Sequence, residues 1–290
     1  QAPMWDVGFP LFVRTDRHDP SDSVVSVKTD EADLVVELGS AVAPVEHQAT
    51  GFLQAINATT PPSSTLVPLR IHGHRTNLGG INHSYDRLKA LGVKVFHCVV
   101  SDSYPGPCAG GVAPLGGCPG DIRSDGTVSW HEWDTVIDSH IAALADKPTV
   151  YYDVWNEPDD AFKPTAAAPG RNLTQYFGVW AHAARRIRAA VPAATLVGPS
   201  LNLFNLKVLG DFLRYAAAQG VLPDVLTWHE LGDDGRAMVT DTAHLQSLLR
   251  SMNLESKIQR LAVNEYNSQQ SSILPGSAGS FLAAAARANL

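Results

Sequence analysis

Two apolar runs, Thr149 to Trp155 and Arg260 to Val263, each lead into Asn-Glu, and the two glutamates, Glu157 and Glu265, stand 108 positions apart (265 − 157 = 108). Six of the seven residues from Thr149 to Trp155 are β-branched or aromatic, the composition of a buried strand, and Pro158 forbids further ladder pairing. The interval divides into three units of 36, enough for one strand, one helix and two loops each. If Glu157 ends the fourth strand of an eight-fold barrel, Glu265 ends the seventh, and both stand at the C-terminal rim where such barrels keep their chemistry.

The rest of the chain fits that period. After an irregular lead-in, Ser23–Lys28 and Asp33–Leu38 read as an antiparallel hairpin separated by a polar turn, expected to lie outside the barrel. Residues 1–45 are read as this lead-in and accessory hairpin, and 46–290 as the barrel. Strands are expected at Gly51–Ile56, Pro68–Gly73, Val93–Val100, Thr149–Trp155, Ala194–Pro199, Val225–Leu231 and Arg260–Tyr266. Helical patterns fall between them, at Tyr85–Leu91, Trp130–Ala145, Asn172–Val191, Lys207–Gln219 and Thr242–Met252, with a last one at Ser280–Leu290. The fold class is therefore α/β, a (β/α)8 TIM barrel that lacks strand 8 within this chain. Unpaired edges at strands 1 and 7 predict a second polypeptide segment that completes the barrel.

Composition narrows the function. A net charge of −7 without any Lys/Arg run argues against nucleic acid, and no apolar stretch reaches the ~20 residues of a membrane span. No glycine-rich phosphate loop follows any strand, and the His, Asp and Glu positions show no ligand spacing, so neither a cofactor nor a metal is expected. The chain opens at Gln1, as a processed secretory protein does. Asn57, Asn82 and Asn172 are Asn-X-Ser/Thr acceptors. Cys108 and Cys118 bracket a Gly/Pro-rich loop that a disulfide would staple, whereas Cys98 falls inside an apolar strand and is expected as a buried thiol. The alternative is three reduced cytosolic cysteines.

Cleaving a glycoside takes a proton donor at the departing oxygen and a second carboxylate across the anomeric carbon, and two strand-end glutamates supply both. Trp155-Asn156-Glu157-Pro158 resembles the acid/base motif of the clan A glycoside hydrolases, and Asn264-Glu265-Tyr266 resembles that clan's nucleophile strand. With Gly51–Ile56, the Arg70 strand and Tyr151–Asp159, the chain looks most like family 39, the β-xylosidase-like group, over about residues 45 to 270.

The resemblance implies Glu157 as acid/base, Glu265 as nucleophile, Asn156 as donor to the sugar 2-hydroxyl and Arg70 as the cation near Glu265. His229 matches a strand-6 histidine of the clan, but Leu231 stands where an aromatic usually follows. That departure leaves Tyr266 as the replacement partner of the nucleophile. His97, with His72 and His74, is a pocket candidate, and Trp155, Trp228 and Trp130 compete as sugar-stacking platforms. The function implied is a retaining hydrolase cleaving an equatorial bond in a plant, fungal or microbial oligosaccharide or polysaccharide. A non-catalytic glycan-binding barrel, or another clan A activity such as an endo-galactanase or endo-glucanase, is the alternative.

Overall fold

The computed structural model describes residues 24–28, 33–37, 50–101, 130–164, 166, 171–231, 235–266 and 275–290. The chain divides into two compact units, Gln1–Glu46 and His47–Leu290. In the first, β1 (Val24–Lys28) and β2 (Asp33–Glu37) pair antiparallel as a sheet of their own, within a residue of the expected hairpin.

The second unit alternates strand and helix. Its strands are β3 (Gly51–Leu53), β4 (Gly73–Asn77), β5 (Val95–Val99), β6 (Val150–Asp153), β7 (Leu196–Leu201), β8 (Val225–Glu230) and β9 (Arg260–Tyr266). They form one seven-stranded sheet in sequence order, every neighbouring pair parallel, curled into a nearly closed barrel. Among the described residues this is a TIM barrel short of one strand, as the sequence predicts. Among the described residues β3 and β9 have one neighbour each. The consequence shows in their burial: every residue of β7 and β8 is buried, while β9 is at best half-buried along its whole length.

The helices are α1 (Ser63–Leu66), α2 (Leu78–Ala90), α3 (His131–Leu144), α4 (Pro158–Ala161), α5 (Leu173–Ala190), α6 (Leu206–Ala218), α7 (Met238–Ser251) and α8 (Pro275–Ala288). Side-chain caps start three of them: Asn77 accepts from Gly80, Asn172 from Thr174 and Gln175, and Asn205 from Val208. An aromatic band cements α5 to the sheet and to α6, with Trp180, Tyr176 and Phe212 all fully buried. Trp180 lies so close to β7 that a Cβ at Gly198 would stand 2.5 Å from its ring. Its indole N–H donates to the carbonyl of Val221 at 2.8 Å, so burying it strands no polar group.

The second barrel strand departs from expectation. Pro68 and Leu69 lie in a 3-10 turn (Val67–Leu69), closed by Arg70 in the left-handed region, and the strand runs instead from Gly73 to Asn77. Proline fits the first turn of a helix better than a ladder. The true strand, Gly-His-Arg-Thr-Asn, reads as polar because Arg75 is held by a buried hydrogen-bond network rather than by apolar packing and Asn77 caps α2. The first strand is also shorter than predicted, ending where Gln54 and Ala55 take positive φ.

Candidate active site

Strand β6 ends at Asp153, and the next residues turn sharply: Trp155 (φ 77°) and Glu157 (φ 48°) both sit in the left-handed region, unusual for large side chains. The turn is held from two sides. The Tyr176 hydroxyl donates to the Val154 carbonyl at 3.0 Å, and the Glu157 amide donates to the Ser200 carbonyl at 3.0 Å. Pro158 then opens α4.

Strand β9 delivers Glu265 by another device. Its register against β8 slips between Trp228 and His229, so that Trp228 faces Val263 while His229 faces Glu265. Successive side chains of a regular strand point to opposite faces; an extra residue re-aims one of them. Asn264 and Glu265 therefore both reach the barrel interior. The Asn264 amide donates to Asp153 Oδ2 at 3.0 Å and to Ser200 Oγ at 2.8 Å, and Glu265 meets Arg75 and His229.

Arg75 is the hub. Its Nε donates to Asp153 Oδ2 at 2.6 Å, its Nη2 to Asn156 Oδ1 at 2.9 Å, and its Nη1 to Glu265 Oε1. Because a guanidinium only donates, Asn156 must turn its carbonyl toward Arg75, which leaves the amide NH2 as a donor for something else. On the other side, fully buried His229 places Nδ1 3.3 Å from Glu157 Oε1 and 3.9 Å from Glu265 Oε2. His229 Nε2 is buried with no partner among the described residues, which places the ring proton on Nδ1, facing the carboxylates.

Glu157, His229 and Glu265 each bring one donor atom within 4.8 Å of the others, a grouping whose donor atoms a single cation could reach. They come from the turn after β6 and from strands β8 and β9, so no ligand spacing in the sequence announces them. Arg75 already supplies positive charge to one of the two carboxylates.

Several expected site residues lie elsewhere. Arg70 is exposed and precedes β4, at the end of the strand away from the rim; the cation on Glu265 is Arg75. Trp155 is 1% exposed, wedged between Trp133 and Phe162 at ring distances of 5.4 and 5.2 Å, because its left-handed backbone swings the indole into the helix layer. Tyr266 packs on Phe281 of α8 at 5.3 Å, the opposite face from Glu265. Trp228 is fully buried, its indole donating to Glu230 at 2.8 Å, and Trp130 stacks on His182 at 4.4 Å.

His97 stands in register with Arg75 and Tyr151, one interior layer below Asp153, stacked on Tyr151 at 5.7 Å. Burial pushes its pKa down to about 4, with Asp153 opposing and Arg75 and Arg260 adding to the fall. His74 is a core histidine on the helix side, against Phe96 and Ser84. Cys98 is buried, as expected; Cys108 and Cys118 lie outside the described residues. Asn57 and Asn172 are exposed at a turn and a helix cap, and Asn82 is exposed on α2.

No protein-family model matches the sequence, and no curated protein does. Among solved structures the chain is similar to N2152 from Neocallimastix frontalis, at 20% identity and a TM-score of 0.58, over 76% of this chain and 52% of that one. It is also similar to a GH39 enzyme from Xanthomonas axonopodis pv. citri, at 16% identity and a TM-score of 0.50, over 76% and 50%. At these identities the likeness is one of fold. That likeness agrees with the clan A resemblance of the Trp155–Pro158 and Asn264–Tyr266 motifs. The chain spans about half the length of these two structures.

Arg75, Asp153 and Ser200 are the site groups that reading the sequence missed. A signal for two of them exists: a charged residue inside a strand bound for a barrel interior is almost never left unpaired. Asp153 within Val-Tyr-Tyr-Asp-Val-Trp and Arg75 within the Gly73–Asn77 strand call for each other.

Proposed function

We propose that this chain is the catalytic barrel of a retaining glycoside hydrolase. The observation that carries the reading is the pair of rim glutamates, with an oxygen of each within 4.8 Å of the other and Arg75 bonded to Glu265. Carboxyl groups of retaining enzymes stand about 5 to 5.5 Å apart, whereas inverting enzymes need about 6.5 to 9.5 Å to admit a water.

Arg75 stabilises negative charge on Glu265, which suits a nucleophile. Glu265 attacks the anomeric carbon while the glycosidic C–O bond breaks and Glu157 gives its proton to the departing oxygen. Glu157 then takes a proton from water as that water displaces Glu265. The Asn156 NH2 group, turned outward by Arg75, is placed to donate to the sugar 2-hydroxyl. The substrate class is an equatorial glycoside of an oligosaccharide or polysaccharide. The test is an aryl-glycoside panel with product anomers followed by proton NMR: first-formed product of retained configuration is expected, and inversion overturns the reading.

Two further proposals accompany this one. The one-sided pairing of β9 and β3 supports a site completed by a further extended segment between them, from this or a second polypeptide; added in trans, such a segment should slow hydrogen exchange in β9. The Cys108–Cys118 bridge and glycans at Asn57, Asn82 and Asn172 belong to a secreted protein, which a glycosidase acting on external glycans would be.

A further inference from the structure

Beneath the two glutamates lies a polar cross-link that the hydrolytic reading does not use. Asp153, Ser200 and Thr227 are all 0% exposed, and they join β6, β7 and β8 to Asn264 on β9. Counting protons fixes the direction of each bond. A carboxylate only accepts, so the Ser200 hydroxyl donates to Asp153 Oδ1 at 2.7 Å. With its one proton spent, Ser200 Oγ accepts from the Asn264 amide at 2.8 Å and from the Thr227 hydroxyl at 2.9 Å. Thr227 Oγ1 in turn accepts from the Ser200 backbone N–H at 3.1 Å. Asp153 Oδ2 accepts from Asn264 at 3.0 Å and from Arg75 Nε at 2.6 Å. The Ser200 hydroxyl is thereby saturated, and Asp153 has donors on both of its oxygens.

We propose that Asp153 is a positioning residue: clamped by Ser200 and Asn264, it fixes the plane of the Arg75 guanidinium and, through it, sets Glu265 and Asn156 relative to Glu157. This rests on the hydrolase reading for its functional consequence. A buried Arg–Asp pair can serve stability alone, and three features argue for more. The guanidinium is a rigid fork, and its three nitrogens go to three different residues, so any rotation at the Asp153 contact displaces Glu265 and Asn156 together. Asp153 also shares the charge of Arg75 with Glu265, so one guanidinium is paired with two carboxylates at once. And Ser200 serves both glutamates, its hydroxyl tied to Asp153 and to the residue before Glu265, its carbonyl to the Glu157 amide. The two carboxylates are referenced to the same buried atoms, the kind of support that keeps a reacting pair within a fraction of an ångström.

The test compares wild type with Asp153→Asn and Ser200→Ala by nitrogen-15 NMR and by kinetics. In wild type the Arg75 Nε–H signal, assigned by its loss in Arg75→Lys, should exchange slowly. In Asp153→Asn it should exchange fast, and the Asn156 side-chain amide signal should move. Ser200→Ala, a smaller lesion that keeps the charge, should move the Asn156 signal in the same direction. On whichever aryl glycoside the wild type cleaves, kcat per folded site should fall about 10- to 100-fold in Asp153→Asn and about 3- to 10-fold in Ser200→Ala, with KM within about threefold. A stability role alone would lower the melting temperature and leave both the Asn156 signal and kcat per folded site unchanged, and that result overturns the proposal. If the wild type cleaves no glycoside, the hydrolase reading fails, while the Arg75 and Asn156 signals still decide whether the cross-link positions the pair.

Discussion

His229 contacts Glu157 from beneath, Nδ1 to Oε1 at 3.3 Å, and its ring is wholly buried while the carboxylate is 28% exposed. The same nitrogen is 3.9 Å from Glu265 Oε2, too long for a hydrogen bond, so its N–H is directed at Glu157. His229→Ala removes a preorganised donor and should lower kcat/KM about 100-fold. His229→Asn, whose side-chain amide N–H can stand near the place of Nδ1, should recover part of that loss. Equal activity in both variants would show that the ring acts by bulk alone.

The two glutamates should separate under mutation. Glu265→Gln is expected to abolish turnover of every substrate. Glu157→Gln should spare substrates with good leaving groups, since an aryloxide needs little protonation to depart, and azide should restore its turnover with retained configuration. Azide rescue of Glu265→Gln with retention would reverse the assignment.

Stability should fall as pH drops from about 6.5 toward 4. The folded-state pKa of His97 is depressed to about 4, so between that value and the unfolded one near 6.5 the unfolded chain binds the extra proton. Stability is therefore fully present above this window and lost through it as pH falls, by up to roughly 3 kcal/mol. His72 and His74, also lowered by burial, act in the same direction. Urea midpoints measured from pH 4 to 8 should show the slope, and His97→Gln should flatten it.

Gly198→Ala should destabilise the barrel by about 1 to 3 kcal/mol, because the added methyl would meet the Trp180 ring at 2.5 Å inside a packed core. Trp180→Leu in the same chain should relieve part of that penalty, which thermal denaturation of the double variant would reveal.

Thiol titration of the unfolded, unreduced protein should give one free cysteine per chain, Cys98. A count of three removes the bridge between Cys108 and Cys118 and with it the oxidising-compartment argument.

Much of this molecule can be read from its residues, for a physical reason in each case. Hydrophobic runs report buried strands, so β5 through β9 stand within a few residues of their expected places, and β9 matches at both ends. The glutamates were legible because each ends such a run. Arg75 was not, since its strand is built on polar side chains satisfied by residues far away in sequence, and pattern reading rewards apolar alternation. Tyr266 and Trp155 were misassigned for a related reason: which face a side chain takes near a strand end depends on a bulge or a positive φ, and neither leaves a compositional mark.

Glu265 rides on a strand that has a single partner among the described residues. A strand hydrogen-bonded along one side opens to solvent more cheaply than one held along both, so thermal fraying of β9 would disassemble the reacting pair well before the chain loses its fold. Catalytic competence and global integrity should then part company on heating, with activity disappearing at a temperature where far-ultraviolet dichroism still reports a barrel.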